Sequence, residues 1–218
     1  MNLEKTTLEN LRQEYSAKTL SEEQVNQNPF AQFDSWFNEA MNSGILEPNA
    51  LTLSTATPDG KPSARVVLLK DFSENGFTFY TNYESRKGQE MAENPNACLS
   101  FFWLELQRQV IIEGKIEKVS EEESTRYFQS RPKGSQLGAW TSDQSQVIAN
   151  RGVLENKLTE LEKQYENQNV IPKPEHWGGY LLKPTSIEFW QGRASRLHDR
   201  IQYILQSDNT WKIQRLAP

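Results

Sequence analysis

The run from Arg65 to Lys87, RVVLLKDFSENGFTFYTNYESRK, restricts the possible folds more than any other part of this chain. Cations bracket a short apolar run at Arg65 and Lys70, Asn75-Gly76 supplies a tight turn, and Phe77-Thr78-Phe79-Tyr80 alternates as a half-buried strand. Ser85 then stands where it can cap a short helix beginning with Arg86 and Lys87. Cations in a first helical turn oppose the macrodipole, so that placement is mildly unfavourable unless an anion sits at the free N–H groups. The run therefore fits a phosphate site built on a sheet, and it equally fits a solvated basic turn beside an ordinary hairpin.

The rest of the chain extends this strand-rich pattern. Residues 5–17 read as a polar amphipathic helix with Leu8, Leu11 and Tyr15 on one stripe. Asn28-Pro29 opens a second helix carrying Phe30, Phe33, Phe37 and Met41, which ends near Gly44. Strands are expected over 50–57 and 62–70 about a Pro58-Asp59-Gly60 turn, then over 77–82, 97–104 and 109–119, with a short helix closed by Asn94-Pro95. Five strands on short connections with no βαβ rhythm indicate an antiparallel meander or barrel. Ser120-Glu121-Glu122-Glu123 is a capping box for a helix through Tyr127 and Phe128 that Arg131-Pro132 stops. Residues 132–146, PKGSQLGAWTSDQSQ, read as a long loop of the kind that carries function. A helix with Val153, Leu154, Leu158, Leu161 and Tyr165 follows, then a proline-bearing loop at 170–176. Strands at 180–182, 186–190, 201–206 and 211–215, the last two joined by a Ser207–Thr210 turn, complete the chain. The expected organisation is a mobile helical segment over 1–20 and a single domain over 21–218.

Composition removes several functions. At 218 residues, with six Trp, seven Tyr and ten Phe, the chain can bury a real core and still stack aromatics on a planar ligand. No apolar run approaches the roughly 20 residues that cross a bilayer, and the N-terminus lacks the apolar region of a signal peptide, so the expected location is the cytoplasm, away from membranes. A lone cysteine, Cys98, excludes an intramolecular disulfide and a cysteine-rich metal site, and in ACLSFFW it reads as a buried core thiol. His176 and His198 alone cannot form a histidine metal cluster. A net charge of −5 argues against nucleic-acid binding, so any anion site must be a local concentration of cations.

Four such concentrations exist: Arg65 with Lys70, Arg86 with Lys87, Tyr127 with Arg131 and Ser135, and the run Arg193 to Arg200. Each alone could be a solvated strand end. Their joint occurrence in an acidic chain points instead to two phosphorylated ligands, provided the clusters converge. In the last run, Arg196 and His198 alternate, so on a strand they share a face opposite Leu197 and Asp199. His198 could equally pair with Asp199 or face solvent. Gln109 and Gln144-Ser145 are candidates for hydrogen bonds to the edge of a heterocycle.

The segments RVVLLK, FYTNYESRK, RQVIIEG, YFQSRPKGSQLGAW and FWQGRASRLHDR, with the ending WKIQRLAP, closely resemble the pyridoxine (pyridoxamine) 5′-phosphate oxidase family from about residue 8 to Pro218. The resemblance implies a mainly β, α+β fold with flanking helices, an antiparallel FMN-binding split β-barrel that forms a homodimer. It implies FMN contacts from Arg65, Val66, Val67, Leu68, Leu69, Lys70, Tyr80, Thr81, Arg86, Lys87, Gln109, Gln144, Ser145, Trp190 and Arg200. Substrate would be held by Lys70, Tyr127, Arg131 and Ser135 at its phosphate, with Arg196, Leu197 and His198 at the pyridine side and Arg12 and Tyr15 covering it. Arg196 and His198 would be the catalytic pair, and Arg193 has no implied role. The implied activity is oxidation of pyridoxamine 5′-phosphate and pyridoxine 5′-phosphate to pyridoxal 5′-phosphate with O2 as acceptor and H2O2 released, at active sites shared across the dimer. A non-catalytic FMN or pyridoxal phosphate carrier, or a related split-barrel oxidase with another substrate, are the alternatives.

Overall fold

The computed structural model describes residues 14–15 and 18–218, so most of the expected helix over 5–17, and Arg12 with it, lies outside the described residues. Among the described residues five α-helices follow in chain order: α1 (Pro29–Met41), α2 (Arg86–Glu93), α3 (Glu121–Ser130), α4 (Lys133–Thr141) and α5 (Gly152–Gln164). Nine strands accompany them: β1 (Ala50–Ala56), β2 (Pro62–Leu68), β3 (Asp71–Ser73), β4 (Gly76–Asn82), β5 (Asn96–Trp103), β6 (Arg108–Lys118), β7 (Trp177–Gln191), β8 (Asp199–Leu205) and β9 (Trp211–Leu216). The strand order is β2-β1-β5-β6-β7-β4-β3, with β8 on β7 and β9 on β8. The pairs β1–β2, β3–β4, β4–β7, β7–β8 and β8–β9 are antiparallel. β7 separates β4 from β6 in the order, so the sheet is not a simple meander.

The chain forms two compact units and passes between them after Pro48 and again within β5, β6 and β7. The first comprises residues through Pro48, Ser100–Ile112 and Ser186–Pro218. Here Asn28 caps α1 with its side-chain oxygen, and Pro29 fills the first turn. The buried face of α1 is Phe30, Phe33, Trp36 and Ala40. Met41 is 59% exposed, against expectation, because the true helical period carries the inward face from Phe33 through Trp36 to Ala40. Trp36 meets Phe189 edge-on at 5.2 Å, Phe189 meets Tyr203 at 5.5 Å, and Tyr203 donates to Asn26 O at 2.7 Å. Full burial of each such ring contributes on the order of 2–3 kcal/mol.

The second unit is Asn49–Leu99 with Glu113–Thr185. Its β4 is buried on both faces except at Tyr80, where the sequence suggested a half-buried strand. Cys98, expected in the core, is only half-buried. The strands expected separately over 180–182 and 186–190 are one, since β7 runs unbroken through Lys183-Pro184 for 15 residues. Gly114 on β6 makes the passage possible, since a Cβ there would lie 2.0 Å from Lys183 O.

The expected loop 132–146 is largely the helix α4. It follows Pro132 and buries Gln136, Leu137 and Thr141. Leu137 joins Phe128, Tyr165, Ile171 and Trp177 in a separate apolar cluster, and Gly134 and Gly138 face open space, so packing on one side outweighs the low propensity of two glycines. In α5 no residue is buried and Val153 is 44% exposed, although Leu158 and Leu161 reach that cluster. Gly114→Ala should therefore cost about 2 kcal/mol or more through backbone displacement at Lys183. A urea midpoint equal to wild type would show that β6 and β7 can separate there without cost.

Candidate functional site

In the second unit, β2 and α2 bring three cations together. Ser85 caps α2, its Oγ accepting the Gly88 N–H. Lys87 in the first turn is buried, and its Nζ donates to Gln144 Oε1 at 2.8 Å and to Ser85 Oγ at 3.3 Å. Thr81 Oγ1 donates to the same Gln144 oxygen at 3.4 Å, while Ser145 takes a left-handed φ of 75°. Burial, with nearby Arg65, pushes the Lys87 ammonium down to about 8.

Arg65 is held by neutral acceptors and one acid. Its Nη1 donates to Thr55 Oγ1 at 2.6 Å and Leu53 O at 3.3 Å, and its Nη2 donates to Ser63 Oγ and, at 3.2 Å, to Glu90 Oε2. Arg86 extends into solvent, with its Nε on Glu90 Oε1 at 2.8 Å. Three cations against one carboxylate leave the cluster two charges positive. β2 stands at the end of the strand order, so one side of the Arg65–Leu68 backbone is not used by the ladder; Val66 is exposed there and Leu69 is buried.

A second group lies in the same unit. Tyr80 stacks on Tyr127 with ring centroids 3.9 Å apart and on Trp177 at 5.5 Å. The Arg131 guanidinium sits 4.6 Å over the Trp177 ring, and its Nη1 is buried with no hydrogen-bond partner among the described residues. Arg131 and Ser135 line a cavity of about 360 Å³ with Thr81 and Gln144. Lys70 and Tyr127 line another of about 360 Å³ with Arg126. The four residues expected around one phosphate are thus divided between two cavities that share Tyr80.

The remaining candidates belong to the first unit: Gln109 on β6, Trp190 on β7, Arg200 on β8 and the intervening turn. Arg196 and His198 do not share a strand face, because β8 begins only at Asp199. Ala194–Arg196 is a 3-10 turn in which Ser195 (φ 55°) and Arg196 (φ 62°) are both left-handed. Such residues cost on the order of 1–2 kcal/mol each, strain of the sort found at binding sites. Arg196 and Leu197 are exposed as a result.

His198 is half-buried against Trp190, with centroids 4.6 Å apart, and Tyr15 approaches both rings at 5.9 Å. Its Nδ1 accepts the Arg193 N–H at 3.1 Å, which leaves the ring proton on Nε2. Burial and then Arg196 lower its pKa. His198 does not pair with Asp199, which instead accepts from Arg193 Nη1 at 2.9 Å, Arg215 Nη1 at 2.9 Å and Leu20 N at 3.1 Å. Arg193, given no role from sequence, therefore holds the turn from both its backbone and its side chain. Arg200 is forked onto Glu188 at 2.7 and 3.0 Å and donates to Ala217 O.

Sequence reasoning missed Trp177 and Glu90. Glu90 could have been found, since it stands four residues after Arg86 on a helix. Trp177, ahead of two glycines, gave no pattern to read.

Together these features define a class: an antiparallel sheet protein with clustered cations beside an aromatic wall. The chain matches the family model described as pyridoxamine 5′-phosphate oxidase over residues 37–165, and that described as the pyridoxine 5′-phosphate oxidase C-terminal dimerisation region over 177–218. It is 58% identical to the pyridoxine/pyridoxamine 5′-phosphate oxidase of Trichormus variabilis, over 97% of this chain and 99% of that one. Identity to the protein of the same name from Burkholderia mallei is 57%, over 98% and 100%. Among solved structures, PhzG of Burkholderia lata in complex with tetrahydrophenazine-1-carboxylic acid gives a TM-score of 0.86 at 30% identity, covering 93% of this chain and all of that one. An FMN-binding, pyridoxamine 5′-phosphate oxidase-related protein of Nostoc punctiforme gives 0.69 at 17% identity, over 89% and 100%, a likeness of fold alone. The chain belongs to the pyridoxamine 5′-phosphate oxidase family and has its split-barrel fold.

Two outcomes follow from the titrating groups. Between about pH 8 and 10.5 the unfolded chain holds a proton at Lys87 that the folded one has lost, so ligand-free stability rises across that window. An anion at the site restores the proton, so inorganic phosphate binding at pH 9 should be accompanied by proton uptake. Calorimetry in two buffers of different ionisation enthalpy measures it, and equal heats would place the anion elsewhere. For His198, nitrogen-15 spectra should show a protonated Nε2, a bare Nδ1 and a midpoint below 6.5; the opposite tautomer would contradict the Arg193 contact.

Proposed function

We propose that this chain oxidises pyridoxamine 5′-phosphate and pyridoxine 5′-phosphate to pyridoxal 5′-phosphate, using FMN, with O2 as acceptor and H2O2 released, in the cytoplasm. The observation that carries this reading is the buried, unpartnered Nη1 of Arg131 beside Ser135. A desolvated guanidinium nitrogen without an acceptor favours an anionic ligand, and phosphate takes such donors well. Tetrahydrophenazine-1-carboxylic acid, bound by PhzG, carries no phosphate, and the proteins sharing 57–58% identity with this chain are named for phosphorylated substrates.

The α2 cluster fits the flavin phosphate, because its two uncompensated positive charges match a phosphate monoester of roughly −1.5 to −2. Arg65, Arg86 and Lys87 would hold that group, with Thr81, Gln144 and Ser145 beside it and the Val66–Lys70 backbone along the ring. FMN, when bound, would supply the two-electron acceptor that the side chains lack. Tyr80 would close one wall. Gln109, Trp190 and Arg200 are the first unit's expected flavin contacts; Arg200 spends three of its five N–H bonds on Glu188 and Ala217, which leaves one on each terminal nitrogen for such a contact.

Lys70, Tyr127, Arg131 and Ser135 would fix the substrate phosphate, which requires their two cavities to act as one. Neutral His198 would donate from Nε2 to the substrate, and Arg196 would stabilise charge as the substrate is oxidised; neither acts as a strong base. In a homodimer, which the C-terminal dimerisation region supports, Arg196, Leu197 and His198 of one chain would complete the site of the other, covered by Tyr15 and Arg12.

Purified protein should be yellow, bleach anaerobically with pyridoxamine 5′-phosphate, and recover in air with one peroxide per turnover. Arg131→Ala should raise KM for that substrate about tenfold or more and change kcat less. A flavin that the substrate does not reduce would overturn the reading, and peroxide-free binding of both ligands would make the chain a carrier.

A further inference from the structure

The carboxylate of Glu90 lies 4% exposed at the centre of the α2 cluster and belongs to no expected contact set. Its two oxygens serve different partners. Oε2 accepts from Thr55 Oγ1 at 2.5 Å, from Ser63 Oγ at 2.5 Å and from Arg65 Nη2 at 3.2 Å, whereas Oε1 accepts from Arg86 Nε at 2.8 Å. We propose that Glu90 is a positioning residue that fixes both Arg65 and Arg86 for the cofactor phosphate, and so makes the site select a phosphorylated flavin over an unphosphorylated one. This rests on the reading of the α2 cluster as the FMN phosphate site.

The geometry carries the argument in three steps. Arg65 comes from β2 and Arg86 from α2, two elements with no shared backbone ladder, and among the described residues Glu90 is the single acid bonded to both. A guanidinium so far from its own backbone loses most of its rotamer freedom only when its donors are engaged, so bonds to Glu90, Thr55, Ser63 and Leu53 O preorganise Arg65 before any ligand arrives; they occupy its four terminal N–H bonds, so a phosphate would meet its Nε–H and its positive charge. Arg86 spends Nε on Glu90 and is otherwise exposed, which leaves its terminal nitrogens accessible to a ligand.

Glu90 also stays ionised throughout. Burial works to raise its pKa, but hydrogen bonds from Ser63, Thr55, Arg86 and Arg65 outweigh it and hold the carboxyl at about 2. An acid among phosphate-binding cations has an opposite possible effect, since it repels the incoming anion. The two effects differ in sign: loss of a positioning carboxylate weakens phosphate binding, and loss of a competing one strengthens it.

The experiment is to titrate apoprotein with FMN and, separately, with riboflavin, following quenching of flavin fluorescence. In Glu90→Gln the FMN dissociation constant should rise about tenfold, with the riboflavin constant within about twofold of wild type. Tighter or unchanged FMN binding overturns the proposal, and so does an equal loss for both flavins, which would mark Glu90 as a support of the fold alone. Should Glu90→Gln not fold, Ser63→Ala keeps every charge and removes both the bond that aims Oε2 and the Ser63 acceptor of Arg65 Nη2; with the aim of the Arg65–Glu90 pair loosened, FMN affinity should fall severalfold and selectively, and an unchanged ratio overturns the proposal. Wild-type protein without preference for FMN would instead remove the flavin-phosphate reading itself.

Discussion

A buried ammonium group with no carboxylate bonded to it among the described residues is the constraint on which the second unit depends. Removing Lys87 from water is costly, and amide and hydroxyl acceptors soften that cost without cancelling the charge. Gln144 must therefore reach back to Lys87, which ties the turn after α4 to β4 through Thr81. Ser85 must serve both as cap of α2 and as second acceptor. The local fold is arranged around a charge that the chain itself leaves unbalanced.

The aromatic wall obeys related physics. Tyr80, Tyr127 and Trp177 stack nearly parallel, and Arg131 lies on Trp177. Stacking holds a planar cation without using its donors, which stay available to a ligand. Burial raises the pKa of Tyr127 and of Tyr80, where neighbouring Glu123 adds to the effect, so both phenols stay neutral donors near neutral pH.

Local chemistry was legible in the sequence wherever one short signal decided the structure. Asn28-Pro29, Ser85 and Ser120 each cap the helix they announce. Tertiary contacts decided the rest. Residues 133–141 carry two glycines and looked like a loop, but Leu137 and Thr141 find a buried face. Residues 180–182 and 186–190 read as two strands, but Gly114 lets the neighbouring strand pass and β7 runs through. Alternation placed Arg196 with His198, and two left-handed residues, invisible to any period, broke it. Resemblance supplied a set of expected contact residues, and the acid that binds two of its arginines together was not part of that set.

The hydrogen bond from Arg193 N–H to His198 Nδ1 limits the chemistry open to this imidazole. A proton relay takes up a proton on one ring nitrogen and releases it from the other. A main-chain amide can only donate, so Nδ1 is blocked as an exit for as long as the turn keeps its shape. The ring can exchange protons at one end only: it works as a fixed polar contact, and any proton that crosses the site must travel by another route.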